Sequence, residues 1–209
     1  MKILTEIENK TKTIIRNFIL RILDGKHIKE YENLYGEFDK HNYDKYSVNN
    51  LPNESGFYYG ELVKWSSDIN PKCVLLVGER KSTARILKDK IDATEVLTSG
   101  LSNVDYKWNF EEDLPKIDKK FDLIVSQAIF EHLLNPYKHL NDLSNIVTSK
   151  GHIIIHTVMP GFPYHRYPID SVRFFPDWFE ESANRFGLKV IRKRMKDTQI
   201  FYMYQKIEQ

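Results

Sequence analysis

Apolar positions along this chain follow two regimes that change near residue 57. In residues 2–24, Ile14, Ile15, Phe18, Ile19, Ile22 and Leu23 recur at i, i+1, i+4, i+5, i+8 and i+9, the spacing of one helix face. The pattern predicts a helix that closes near Gly25, with Lys10, Lys12, Arg16 and Arg21 turned to water. Residues 26–56 are rich in Tyr, Asn and Lys with weak periodicity, and read as a loop-rich extension. From residue 57 onward short apolar runs alternate with helical stretches. The predicted helices are 57–66, 82–90, 136–148 and 176–186. The predicted strands are 73–77, 94–98, 104–107, 121–126, 152–158 and 188–192, with 189–193 and 199–204 forming a terminal antiparallel pair. The runs VLLV, DLIV and HIIIH show no polar alternation, as expected of parallel strands covered on both faces. The order predicts an α/β fold with an open, doubly wound sheet over 57–209 and an N-terminal extension over 1–56.

Helix ends support these boundaries. Asn135-Pro136 sets a capping side chain before a proline at the first helical position. Leu140, Leu143 and Val147 then supply the buried stripe, and Lys150-Gly151 reads as the stop. Pro176 repeats the device, with Asp177, Glu180 and Glu181 suited to the positive end of the helix dipole.

Composition narrows the partners. A hydrophobic content of 41% is enough for a sizeable core, which argues against wholesale disorder. Net charge is +2, with 31 basic against 29 acidic residues, so neither nucleic acid nor an anionic membrane is expected as a partner. The single Cys73 excludes an internal disulfide framework and a thiolate cluster. Glu6 and Glu8 interrupt what would be the apolar region of an export signal, so a cytoplasmic protein is expected.

The segment FDLIVSQAIFEHLLNPYKHLNDLSNIVTSKGHIIIHTVMPG, followed by YHRYPIDSVRFFPDWFEESANRFGLKVI, resembles the class I S-adenosylmethionine (SAM)-dependent methyltransferases. Its "FDxV" strand, Glu-His pair, Asn-Pro helix start and Lys-Gly occur in that family's order. The resemblance implies a mostly parallel seven-stranded sheet with an antiparallel last strand, and SAM across the strand ends. It would put Gly78, Glu79 and Arg80 under the methionine part of SAM and Thr98 at the ribose. Asn109 or Phe110 would flank the adenine, and Gln127 would face both cofactor and substrate. The chain departs from the family at the first loop, VLLVGERKSTAR, where Leu76 replaces the expected acid and Arg80 and Ser82 replace glycines. Thr98 likewise stands where a ribose-binding acid is expected.

Candidate chemistry lies near and after the carboxyl ends of the fourth and fifth strands. His156 and His165 are candidate bases for a hydroxyl acceptor, because an imidazole titrates near neutral pH. Asp170 would support them, and His132, Tyr164 and Arg173 would bind substrate. His165 with Asp170 also reads as a structural pair pinning its loop. No metal-ligand spacing is present, so no metal is expected; His139 reads as a solvated helix residue. The expected function is methyl transfer from SAM to an oxygen of a small molecule or sugar. Two alternatives stay open: a non-catalytic methyltransferase-fold binding protein, and an enzyme holding a phosphate-bearing ligand through Arg80 and Lys81. Oligomeric state is not legible.

Overall fold

The structure, a computed structural model, describes Ile15, Phe18, Ile19, Ile22, residues 55–162, 164–166, 169–196 and 198–208. Most of the predicted helix over 2–24, and the extension over 26–54, lie outside the described residues. Ile15, Phe18, Ile19 and Ile22 are helical. The chain forms two compact units: Leu51–Phe162 with Ser171–Gln209, and Met1–Asn50 with Pro163–Asp170.

The larger unit runs α1 (Ser55–Ile69), β1 (Cys73–Val77), α2 (Lys81–Ile91), β2 (Glu95–Gly100), β3 (Tyr106–Lys107) and β4 (Phe121–Gln127). A 3-10 turn at Phe130–His132 leads into α3 (Pro136–Ile146), β5 (Val147–Val158), α4 (Pro176–Arg185), β6 (Leu188–Lys196) and β7 (Gln199–Lys206). The seven strands form one sheet in the order β3-β2-β1-β4-β5-β7-β6. Pairs β1–β2, β2–β3, β1–β4 and β4–β5 are parallel, while β7 runs antiparallel to both β5 and β6.

Unalternating apolar runs make sense once both faces are followed. Leu75, Val77, Ile124, Ile153 and Ile155 point to one side, where Leu140 and Leu143 of α3 and Phe179 of α4 cover them. Val74, Leu76, Leu123, Val125 and Ile154 point to the other, beneath Leu62 and Trp65 of α1 and Ala84 and Leu87 of α2. Leu76 is therefore core, which accounts for the lack of an acid there. A carboxylate at that depth would be desolvated without a partner, at a cost of several kcal/mol.

Several boundaries differ from expectation, two of them with a bearing on the site. Helix α3 ends at Ile146, and Val147 through Gly151 already belong to β5. Between Phe121↔Val147 and Leu123↔His152 the register slips, and Lys150 takes φ +64 within that bulge. Lys150-Gly151 thus marks a bulge and not a helix stop; a Lys-Gly pair signals left-handed backbone in either setting. Strand β2 continues to Gly100, two residues past its predicted end.

The proline-started helices form as read. Asn135 Oδ1 accepts the Lys138 N–H at 3.0 Å, so it caps α3. Asn135→Ala is expected to lower stability by about 1 kcal/mol, read as a drop in thermal midpoint. An unchanged midpoint would mean that the cap contributes nothing.

Candidate functional site

Chain direction reverses between β1 and β4: β2 and β3 are laid down on one side, β5 on the other. Open α/β sheets hold ligands at the strand ends of such a switch point. Both strand tips there have left-handed backbone, Gly78 at φ +79 after β1 and Ala128 at φ +50 after β4. Their N–H groups are tied inward, Gly78 to the Ser99 carbonyl and Ala128 to the His156 carbonyl, each at 2.9 Å. Ala128 holds this conformation without the freedom of glycine, a strain of about 1–3 kcal/mol that concentrates at functional sites. Gly78 and Ala128 are both exposed.

Helix α2 starts beside Gly78. Arg80 is its N-cap residue, its side chain makes no capping bond, and it is exposed. Burial raises the pKa of Glu79, against hydrogen bonds from the Thr83 hydroxyl and the Arg80 N–H. Lys81 Nζ lies 2.8 Å from Asp105 Oδ1. The other carboxylate oxygen of Asp105 accepts the Thr98 N–H and hydroxyl, both at 3.0 Å. Burial pushes the Asp105 carboxyl upward, but Lys81 and Thr98 outweigh it and hold it below the ordinary aspartate range. Thr98 is fully buried, two residues short of the tip, and its hydroxyl serves Asp105. It therefore does not end its strand and does not offer the ribose contact that the sequence suggested. Asp105 itself went unnoticed in the sequence, since Ser102-Asn103-Val104-Asp105 carries no motif.

Ile129 lies over Gly78. A β-carbon placed on Gly78 would stand 2.2 Å from Ile129 Cδ1 and 2.9 Å from its Cγ1. The dihedral requires glycine here, and the Ile129 side chain would have to swing aside for any larger residue.

Past β3, Asn109 is exposed; its amide donates to Glu112 Oε1 and its carbonyl accepts the Glu111 N–H. Phe110 is partly buried, with its ring 5.0 Å from Trp108 and 4.9 Å from His139. His139 is fully buried and not solvated as read. Trp108, Phe110 and Phe130 surround it, and neither ring nitrogen has a hydrogen-bond partner. Burial, with the Lys138 charge adding to it, pushes its pKa down to about 3. A lone His in a helix gave no sign of this, because α3 buries a wider face than its leucines marked.

Gln127 closes β4 and is half-buried. In the turn that follows, the Glu131 carboxylate accepts the Thr157 hydroxyl at 2.6 Å, and His132 Nε2 lies 4.0 Å from its other oxygen. Burial raises the Glu131 pKa, although Thr157 opposes it. The Glu131 carbonyl accepts the N–H groups of Ser171 and Val172, and Phe174 N–H donates to Val158 O. Residues 171–174 are thereby strapped across the ends of β4 and β5. Arg173 Nε approaches the Phe162 carbonyl at 3.4 Å, with its guanidinium over the Phe162 ring.

The two candidate bases differ. His156 is 3% exposed, donates from Nε2 to Gln199 Oε1 at 2.7 Å and stacks on Phe201 at 4.5 Å. Burial lowers its pKa to about 4, against the Gln199 bond. It is a core residue of the α1/α2 side, so the catalytic role read for it is withdrawn. In the other unit, Asp170 accepts the His165 backbone N–H at 2.7 Å and lies 3.6 Å from His165 Nδ1. Tyr164 and His165 are half-buried there; Tyr167 lies outside the described residues. Among the described residues, no helix is long and apolar enough to cross a membrane.

At the switch point the residues suit SAM in an altered form. Backbone is exposed at Gly78 and Ala128, Phe110 presents a half-buried ring, and Glu79 carries a carboxylate in the turn after Gly78. The diol acid is missing.

Comparisons with known proteins bear on the fold that carries this site. Residues 80–155 match a family model described as a methyltransferase domain. A putative SAM-dependent methyltransferase from Listeria monocytogenes superposes with TM-score 0.58 at 11% identity, over 74% of this chain and 100% of that one. The magnesium protoporphyrin IX methyltransferase of Synechocystis, solved with bound SAH, gives 0.55 at 10% identity over 91% and 99%. An O-methyltransferase family protein from Burkholderia thailandensis gives 0.55 at 9% identity over 72% of this chain, which spans only 56% of that protein. No curated protein matches the sequence. The chain has the fold of the class I SAM-dependent methyltransferases and carries, across residues 80–155, the sequence pattern of a methyltransferase domain.

Proposed function

We propose that this protein transfers the methyl group of SAM to an oxygen of a small molecule or sugar. The observation that carries the proposal is the pair of exposed left-handed strand tips, Gly78 and Ala128, at the switch point of a sheet with methyltransferase order. Bound SAM supplies an electrophilic methyl on a sulfonium. The chain's part is to hold donor and acceptor in line, an effect worth up to about 7–11 kcal/mol in well-oriented reactions. Gly78 and Gln127 would hold the donor side, with Glu79 facing its ammonium and Phe110 its purine.

Of the two histidines, His165 keeps the arrangement a base needs. Asp170 accepts its backbone N–H and stands 3.6 Å from Nδ1, which orients the ring. His165→Ala is expected to lower kcat by roughly 10²-fold or more while SAM affinity stays within about twofold. Unchanged turnover would remove His165 from the mechanism.

A non-catalytic binding protein is the second reading, favoured by Ile129 over Gly78 and by the missing diol acid. The phosphate reading is weakened, because Lys81 is paired with Asp105 and the Glu79 carboxylate sits at the start of α2. Transfer of a labelled methyl group from SAM to a panel of hydroxylated small molecules tests the first reading. Saturable SAM binding with no transfer to any acceptor would favour the second.

A further inference from the structure

Exposed large apolar residues of the main unit such as Leu101, Leu134 and Phe175 stand apart from one another in sequence. Ile15, Phe18, Ile19 and Ile22 are different. They are helical, they recur at i, i+3, i+4 and i+7, and they are 53%, 63%, 50% and 57% exposed. That spacing puts all four on one helix face, so they make a continuous apolar strip and not four isolated contacts.

The surrounding sequence says what could cover the strip. Between Lys10 and Lys26 stand Lys10, Lys12, Arg16, Arg21 and Lys26, against the single acid Asp24. Without that stretch the chain's net charge of +2 would be −2, so the cationic excess is local. A second copy of the chain laid on the strip would bring one set of arginines toward another, with Glu6, Glu8 and Asp24 the acids of the predicted helix. An anionic lipid interface presents the complementary charge, and its acyl boundary accepts Ile and Phe while Lys and Arg reach the headgroups.

We propose that the face formed by Ile15, Phe18, Ile19 and Ile22 seats on an anionic membrane surface. It lies in the interface and does not span it. The overall charge balance hid this, because the acidic excess elsewhere in the chain offsets half of the basic stretch.

The test uses the full chain and co-sedimentation with vesicles of phosphatidylcholine alone or doped with phosphatidylglycerol. Binding is expected to be about tenfold or more tighter to the doped vesicles and to fall as salt is raised well above about 0.1 M. Phe18→Glu is expected to abolish it, and Arg16→Gln with Arg21→Gln to weaken it about tenfold, both with an unchanged melting temperature. Absence of binding to the doped vesicles overturns the proposal, as does binding that survives Phe18→Glu. If Phe18→Glu instead lowers the melting temperature by several degrees, the face is packed within the protein and the proposal fails. If it splits an oligomer that ignores vesicles, the face is a self-association surface and the proposal also fails. None of these outcomes depends on whether methyl transfer occurs.

Discussion

Gly78→Ala is expected to lower stability by about 2–5 kcal/mol and to abolish ligand binding at the strand tips. Two independent effects contribute. The dihedral of +79° is one that side chains rarely adopt, at a cost of about 1–3 kcal/mol. The new methyl would also overlap Ile129, whose Cδ1 stands 2.2 Å from its ideal position. A double-mutant cycle separates the two. In an Ile129→Ala background the overlap is relieved, so Gly78→Ala should cost only its dihedral share of about 1–3 kcal/mol. A coupling energy near zero would show that the Ile129 side chain swings aside at no cost, leaving the dihedral as the whole effect. Denaturant titration of the four variants gives the answer without any activity assay.

The second large effect is acid sensitivity through His139 and His156. Both are neutral and buried, with pKa values pushed from 6.5 down to about 3 and about 4. Below pH 6.5 the unfolded chain takes up a proton at each imidazole and the folded chain does not. Stability is therefore fully present above the unfolded pKa and is lost as pH falls toward the folded values. Each ring contributes a slope of about 1.4 kcal/mol per pH unit, so the pair removes roughly 5 kcal/mol by about pH 4.5. That is comparable to the whole stability of many domains. Glu131 works in the opposite direction. Its raised pKa gives a contribution present at low pH and lost as pH rises through its folded value, which softens the slope.

His139→Phe isolates one ring. The aromatic surround of Trp108, Phe110 and Phe130 accepts a phenyl, and two unpartnered nitrogens disappear. Near pH 7 the change should stay within about 2 kcal/mol of neutral, since lost polar burial offsets extra bulk. Between pH 6.5 and 4.5 its stability curve should be flatter than the wild type's by about 1.4 kcal/mol per unit. Parallel curves would show that His139 titrates normally and is reached by water.

Much of the fold was legible in the sequence because burial on both faces leaves apolar runs without alternation. VLLV, DLIV and HIIIH therefore named β1, β4 and β5 directly. Asn135-Pro136 and Pro176 fixed the starts of α3 and α4, since capping chemistry is local. The bulge at Lys150-Gly151 was not legible, because a left-handed pair looks the same at a helix end and within a strand. The site was read less well. The tip at Gly78 stood out, yet Thr98 and His156 were read as strand-end residues when both point into packed surroundings. A residue's depth along a strand depends on register against its neighbours, and register is a long-range property. Ala128 and Asp105 gave no sequence signal at all, one being a strained alanine and the other an acid whose partners are Thr98 and Lys81.

The central claim is that the end of the β1–β4 switch point admits an adenosyl sulfonium despite Arg80 and Ile129. Leu76 does not obstruct it, being buried toward α1 and α2, and the Arg80 side chain is exposed. Isothermal titration of the purified chain with SAM, and separately with S-adenosylhomocysteine, tests this directly. The account predicts saturable heat with a Kd on the order of micromolar for both, lost in Gly78→Ala. No heat from either compound at concentrations on the order of millimolar would contradict it.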